Sequence, residues 1–162
     1  MIIGVTGDTH NNLKNINTIC SIFNKNATDL VFHTGDISLP KSLEAFKSLK
    51  CPIVVVLGNN DIEERSGLEK AAASFDCEIA DEPHFVKVLN KKIVVLHHPD
   101  LITSNMIDQS DFILHGHTHR YRLERKNDCI IFNPGECAGF MKNKNQIGLI
   151  DLKDLEPKVI NF

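Results

Sequence analysis

Leu114-His115-Gly116-His117-Thr118-His119 is the stretch that organises this chain. An apolar run, Phe112-Ile113-Leu114, ends there in a glycine turn with histidines on alternate positions. In an extended or tightly turned backbone, residues two apart point the same way, so the imidazoles of His117 and His119 are expected to converge. Imidazole nitrogen is the commonest protein ligand for divalent metals. Alone, such a turn also reads as a polar loop. What decides is how many other segments end in the same manner.

Four more do. Residues 2–6 lead to Gly7-Asp8-Thr9-His10, and residues 30–33 to Thr34-Gly35-Asp36. Residues 53–57 lead to Gly58-Asn59-Asn60-Asp61, and residues 93–96 to His97-His98. Where strands run parallel their carboxyl ends share one edge, and open α/β sheets bind ligands at that edge. The glycines before Asp8, Asp36 and Asn59 are expected to allow sharp turns that aim those side chains inward.

Seven candidate ligands result: Asp8, His10, Asp36, Asn59, His97, His117 and His119. One ion does not need so many; two divalent ions sharing one carboxylate do. Carboxylate, amide and imidazole without thiolate point to Mn, Fe, Ni, Co or Zn rather than to Ca or a structural zinc. Each piece also has an ordinary reading, with Asp8, Asp36 and Gly-Asn-Asn-Asp as turns and His97 as a satisfied core histidine. Their joint position at the ends of apolar runs favours the metal site.

The rest of the chain agrees. Its 162 residues suit a single domain, 1–162, with a sizeable core. A formal charge of -3 gives no case for a nucleic-acid polymer or an anionic membrane. No apolar run nears the roughly 20 residues that cross a bilayer. The first residues carry no basic leader or cleavage site, so a cytoplasmic protein is expected. Five cysteines, Cys20, Cys51, Cys77, Cys129 and Cys137, form no C-x-x-C pair and read as reduced, mostly buried small hydrophobes.

Apolar periodicity predicts strands over 2–6, 30–33 and 53–57, with helices over 12–25, 41–49 and 62–74. It then predicts hairpins, 85–89 with 93–96 and 121–125 with 129–132, a strand over 111–115, and closing strands over 146–152 and 158–161. Early βαβ units followed by β-rich pairing imply α/β architecture, two packed sheets with helices outside.

The ordered set TGDTH, TGD, GNND, a lone His97 and GHTH resembles the calcineurin-like metallophosphoesterases, and especially the small YfcE-like phosphodiesterase branch, from Asp8 to Asn133-Pro134-Gly135. That resemblance implies a four-layer α/β/β/α sandwich of two mixed β-sheets with flanking helices. It also implies a dinuclear site: Asp8, His10 and His119 on one metal, Asn59, His97 and His117 on the other, and Asp36 bridging. The implied cofactors are two divalent transition-metal ions, Mn or Ni before Fe, Co or Zn. The implied reaction is attack of a metal-bound hydroxide on a small phosphodiester, with Asp36, Asn59 and His97 among the catalytic residues.

Three departures from the family pattern carry expectations. Asn60 stands where many members place a leaving-group histidine; His98, beside His97, reads either as a substitute donor, joining the catalytic residues, or as an exposed loop histidine before Pro99. Ile37-Ser38-Leu39-Pro40 lacks the Asp-Arg-Gly signature of protein phosphatases. Glu136 follows Asn133-Pro134-Gly135 where relatives often have serine, and a carboxylate facing the pocket would repel a dianionic monoester. His33 and His115 read as core or supporting histidines, and His84, Thr118 and residues 142–145 as surface loop and turn. Alternative readings are a phosphomonoesterase or nucleotide pyrophosphatase of the same fold, or a non-catalytic metal-binding scaffold subunit. Phe85, Phe140 and Leu155 are candidates for an apolar surface that would build a homo-oligomer.

Overall fold

Strands that are apolar on both faces need cover on both faces, and this chain supplies it with a second sheet on one side and helices on the other. The computed structural model describes residues 1–162. Its first half runs β1 (Ile2–Thr6), α1 (Leu13–Lys25), β2 (Leu30–His33), α2 (Pro40–Glu44), β3 (Ile53–Val56), α3 (Arg65–Ala72) and β4 (Cys77–Ala80). Then come β5 (His84–Val88), β6 (Lys91–Val95), α4 (Ser104–Gln109), β7 (Phe112–Leu114), β8 (Arg122–Lys126), β9 (Cys129–Asn133), β10 (Gln146–Asp151) and β11 (Pro157–Asn161).

One sheet has the order β11-β10-β1-β2-β3-β4, the other β5-β6-β7-β9-β8. Within them β1 to β4 pair in parallel, as do β6, β7 and β9. The remaining pairings are antiparallel, so both sheets are mixed. Side-chain alternation then sorts the core into layers. Val5, Phe32, Val56, Val95, Leu114 and Phe132 meet between the sheets. Ile16, Ile19 and Phe23 of α1 and Leu68 of α3 pack on Val31 and Val55 of the first sheet's outer face. Met106 of α4 covers Val94, Ile113 and Ile131 on the second. This is the four-layer α/β/β/α sandwich.

α1 shows how local sequence sets an element. The Asn12 side chain caps the helix by accepting from Asn15 N at 3.1 Å, and its buried residues recur at helical spacing. Phe23 lies so close to β1 that a Cβ on Gly4 would come within 2.7 Å of its ring.

The structure departs from the periodicity in four places. The expected helix over 41–49 is α2 followed by a 3-10 turn, Ala45–Ser48, and that over 62–74 begins with the 3-10 turn Ile62–Glu64. β4 was not expected: it is an edge strand, only Ala80 in it is buried, and it shows no apolar run. α4 was also not expected, since six residues with Met106 alone buried leave no repeat to read. Of the three candidates for an oligomer surface, Phe85 on β5 and Phe140 beside His10 and His119 are exposed, whereas Leu155 packs against the layer between the sheets.

The two sheets approach closely where Gly148 of β10 faces Phe132 of β9. A Cβ on Gly148 would lie 2.7 Å from Phe132 Cζ and nearer still to Cε1. Gly148→Ala is therefore expected to destabilise the fold by about 1–3 kcal/mol through overpacking, read as a lower urea midpoint at unchanged m.

Candidate metal centre

The parallel strands point their carboxyl ends to one rim, and every candidate residue lies just beyond such an end. Asp8 and His10 follow β1, Asp36 follows β2, Asn59 follows β3, His97 follows β6, and His117 and His119 follow β7. His117 N stitches the two sheets together by donating to both carboxylate oxygens of Asp8 at 3.0 Å, and within the second sheet Gly116 N donates to His97 O at 3.1 Å.

All seven side chains are brought together in two neighbouring groups. In one, His10 Nε2 and His119 Nε2 are 3.2 Å apart, and Asp8 Oδ1 is 3.9 Å from His119 Nε2. In the other, Asn59 Oδ1 is 3.0 Å from His97 Nε2 and 3.2 Å from His117 Nδ1. Asp36 Oδ2 stands between them, 3.6 Å from His10 Nε2 and 3.5 Å from His97 Nε2. His117 and His119 thus diverge, one to each group, instead of converging. The extended backbone that would align them is absent, for both residues have positive φ, 68° and 53°.

That left-handed backbone is shared by Asp8, His10 and Asp36. Asp, Asn and His tolerate it better than most residues, and it turns the chain sharply at the strand end. The glycines play a different part from the one expected. Gly35 alone of the three has positive φ; a Cβ on Gly7 would strike Thr34 Oγ1, and one on Gly58 would strike Asp36 Oδ1. They make room for the loops to touch.

The donor set fits divalent cations. Asp8 and Asp36 are 0% and 3% exposed, and their ion pairs run to histidines alone, with no lysine or arginine. Burial lifts the Asp8 carboxyl to about 6, although His97, His119 and the His117 amide oppose the shift. Burial also holds His10 and His117 below the ordinary histidine value, which keeps them neutral with a lone pair to offer. Nitrogen and oxygen atoms of Asp8, His10 and His119 lie within 4.8 Å of one another, as do those of Asp8, Asp36 and His97. Cys137 is no competitor: its Sγ donates to Gly7 O at 2.6 Å, and burial pushes the thiol up to about 12.

Asp61 and Glu82, which sequence reading passed over as site residues, hold these loops. The buried Asp61 carboxylate accepts from Asp36 N at 2.8 Å, Ser38 N at 2.6 Å and Gly58 N at 2.7 Å, tying two strand ends together. Glu82, just after β4, accepts from His97 N at 2.6 Å and His98 N at 2.9 Å. Asn60 donates to both carboxylate oxygens of Asp36, from its backbone at 2.9 Å and its side chain at 2.6 Å. His98 packs against His117, ring centroids 4.0 Å apart, and lines a 310 Å³ cleft with Asn59, Ile62 and Arg65. Glu136 is 1% exposed, and its carboxylate bonds His119 Nδ1 instead of standing free to repel a monoester.

His33 and His115 are satisfied interior histidines. Gly35 N donates to His33 Nδ1 at 3.2 Å, which leaves Nε2–H to donate to Thr9 Oγ1 at 3.0 Å. His115 Nδ1–H donates to Gly116 O at 3.0 Å.

A rim of buried carboxylates, imidazoles and an exposed amide on this sandwich defines a metal-dependent phosphoesterase. Residues 1–155 match the family model for the calcineurin-like phosphoesterase superfamily domain, and the chain belongs to that superfamily, whose members use divalent metal ions. It is 32% identical over 164 aligned positions to phosphodiesterase MJ0936 of Methanocaldococcus jannaschii, covering 99% of this chain and 98% of that one. A solved archaeal phosphodiesterase superposes with a TM-score of 0.92 at 30% identity, with both chains fully covered. The Escherichia coli phosphoesterase YfcE, at 18% identity over 99% of this chain and 98% of its own, shares the fold with a TM-score of 0.73.

Burial lowers His33 from 6.5 to about 3, so the folded state resists a proton that the unfolded chain takes up. The unfolded state binds more protons between these values, and stability falls as pH drops through that window. In chelator, His33→Gln is expected to flatten the loss of stability between pH 6.5 and 4 relative to wild type, measured as urea midpoints across pH.

Proposed function

We propose that the chain is a single metallophosphoesterase domain, residues 1–162, hydrolysing a small phosphodiester with two divalent cations, Mn or Ni before Fe, Co or Zn. The observation that carries the reading is the place of Asp36 Oδ2, within 3.6 Å of a ligand nitrogen in each of the two donor groups. Asp8, His10 and His119 would hold one ion, Asn59, His97 and His117 the other, with Asp36 shared. When bound, such ions neutralise phosphate oxygens and lower the pKa of water, so hydroxide is available near neutral pH.

The chain's own residues do the rest. Asp61 holds the Asp36 backbone N–H, Asn60 holds the Asp36 carboxylate, and the Thr34 carbonyl accepts from His97 Nδ1 at 2.8 Å, which turns the His97 Nε2 lone pair inward. No side chain is set up as a nucleophile, so the ester is cleaved without a covalent enzyme adduct. Asn60 cannot give a proton to the leaving group. His98, on the wall of the cleft, is the donor we assign, and the cleft takes one ester arm. The preference for a diester is supported by the relatives of 30% and 32% identity, both phosphodiesterases. No helix is long and apolar enough to cross a membrane, and all five cysteines are free, which supports a cytoplasmic location. A formal charge of -3 supports a small substrate over a nucleic-acid polymer.

The test is to strip the protein with chelator and restore Mn, Ni, Co, Zn or Mg singly, against a bis-aryl diester and the matching monoester. Diester cleavage is expected to return with metal and to fall to background in Asp36→Ala and His97→Ala. Faster monoester turnover would instead mark a phosphomonoesterase, and bound metal without turnover a scaffold. For the proton donor, His98→Ala is expected to lose about 100-fold in kcat on an alkyl ester, a poor leaving group, and little on an aryl one. Equal losses on both esters would remove that role.

A further inference from the structure

The imidazoles of the two groups differ in what holds the nitrogen turned away from the centre. His97 Nδ1 meets a backbone carbonyl, Thr34 O, at 2.8 Å. His119 Nδ1 meets a carboxylate, Glu136 Oε2. His10 and His117 have no such anchor, their hydrogen-bond contacts lying within the centre.

Glu136 is built into this position. The Asn133 side chain donates to Gly116 O at 3.1 Å and Thr118 Oγ1 at 3.3 Å, and accepts from Gly135 N at 2.9 Å. The loop after β9 is thereby pinned to the loop carrying His117 and His119. Gly135 turns left-handed, φ 110°, and delivers Glu136 beneath His119. Both carboxylate oxygens are then engaged, Oε2 by His119 and Oε1 by Phe140 N at 2.9 Å, while the Glu136 carbonyl accepts from Gln146 N at 2.6 Å. A carboxylate so held has no oxygen free for substrate.

We propose that Glu136 is a positioning residue that makes the two metal positions unequal. Its acceptor fixes His119 as the Nδ1–H tautomer, so the Nε2 lone pair faces His10 Nε2, 3.2 Å away, and Asp8. A carboxylate behind an imidazole also makes it a stronger donor than a carbonyl does, and such partners are worth about 10–100-fold in metal affinity. The ion held by Asp8, His10 and His119 is therefore the tighter of the two. The inference rests on the ligand assignment proposed above.

Two measurements decide it. In metal-free wild type, long-range 1H–15N NMR is expected to show His119 with its proton on Nδ1; a proton on Nε2 overturns the proposal without any variant. Calorimetric titration of stripped protein with Mn is expected to show two binding events. In Glu136→Ala the tighter event should weaken about 10–100-fold and the other stay within about twofold. Glu136→Gln, which keeps an oxygen acceptor but not its charge, should fall between. Folded variants (by circular dichroism) with both events unchanged, or both weakened alike, overturn the role of Glu136. His119→Ala separates the levels: if it too leaves both events intact, the ligand assignment itself is wrong.

Discussion

Asp8 and Asp36 are buried carboxylates that no lysine or arginine side chain faces, and much of the molecule is arranged around that fact. An ionised carboxylate taken from water without a partner is costly, and the group shifts its pKa in response. The rise of Asp8 to about 6 is that response, and backbone donors and imidazoles only partly offset it. Parallel strands are what allow the arrangement. They carry loops from both sheets to one rim, so that β1 and β2 can present the carboxylates while β3, β6 and β7 bring amide and imidazole around them. The burden of unbalanced charge is placed where a divalent cation would relieve it.

Backbone conformation carries a second burden at the same place. Asp8, His10, Asp36, His117 and His119 all sit in the left-handed region, and non-glycine residues there cost about 1–3 kcal/mol each unless the surroundings determine them. The surroundings do. Asp61 gathers three N–H groups from two loops, Glu82 takes two from the His97 loop, and Asn133 ties the loops after β7 and β9. These residues have no place in the chemistry, yet the geometry of the centre is set through them. Gly7 and Gly58 belong with them, since any side chain at either would push two loops apart.

What the sequence made legible follows from what is local. Apolar runs with helical or strand period located β1, α1, β2, β3 and the hairpin strands, because their patterning reflects which faces are covered. The candidate residues stood out because each directly follows such a run. β4 and α4 were hidden because an edge strand and a six-residue helix bury too little to leave a pattern. Asp61, Glu82 and Asn133 were hidden for another reason. Their partners lie on other strands, and a carboxylate that collects N–H groups from distant loops looks, in sequence, like any turn residue. Glu136 was visible but its direction was not, since only its two bonds, to His119 and to Phe140 N, show that it points inward.

The same bonds give the rim two unlike sides. Over His10 and His119 lies Phe140, its ring centroid 5.3 Å and 5.6 Å from theirs and its backbone anchored by Glu136. Beside Asn59 and His97 the rim opens into the cleft, with His98 on its wall and the His98 backbone N–H held by Glu82. Under the proposed reaction, an ester arm enters more easily on the open side than beneath the phenyl ring. A leaving group placed there meets His98, a titratable side chain not committed to either donor group. The Asn60 amide, meanwhile, is occupied with Asp36 at 2.6 Å. On that reading Asn60 and His98 would divide the work: the amide steadies the Asp36 carboxylate, and the proton would come from the cleft.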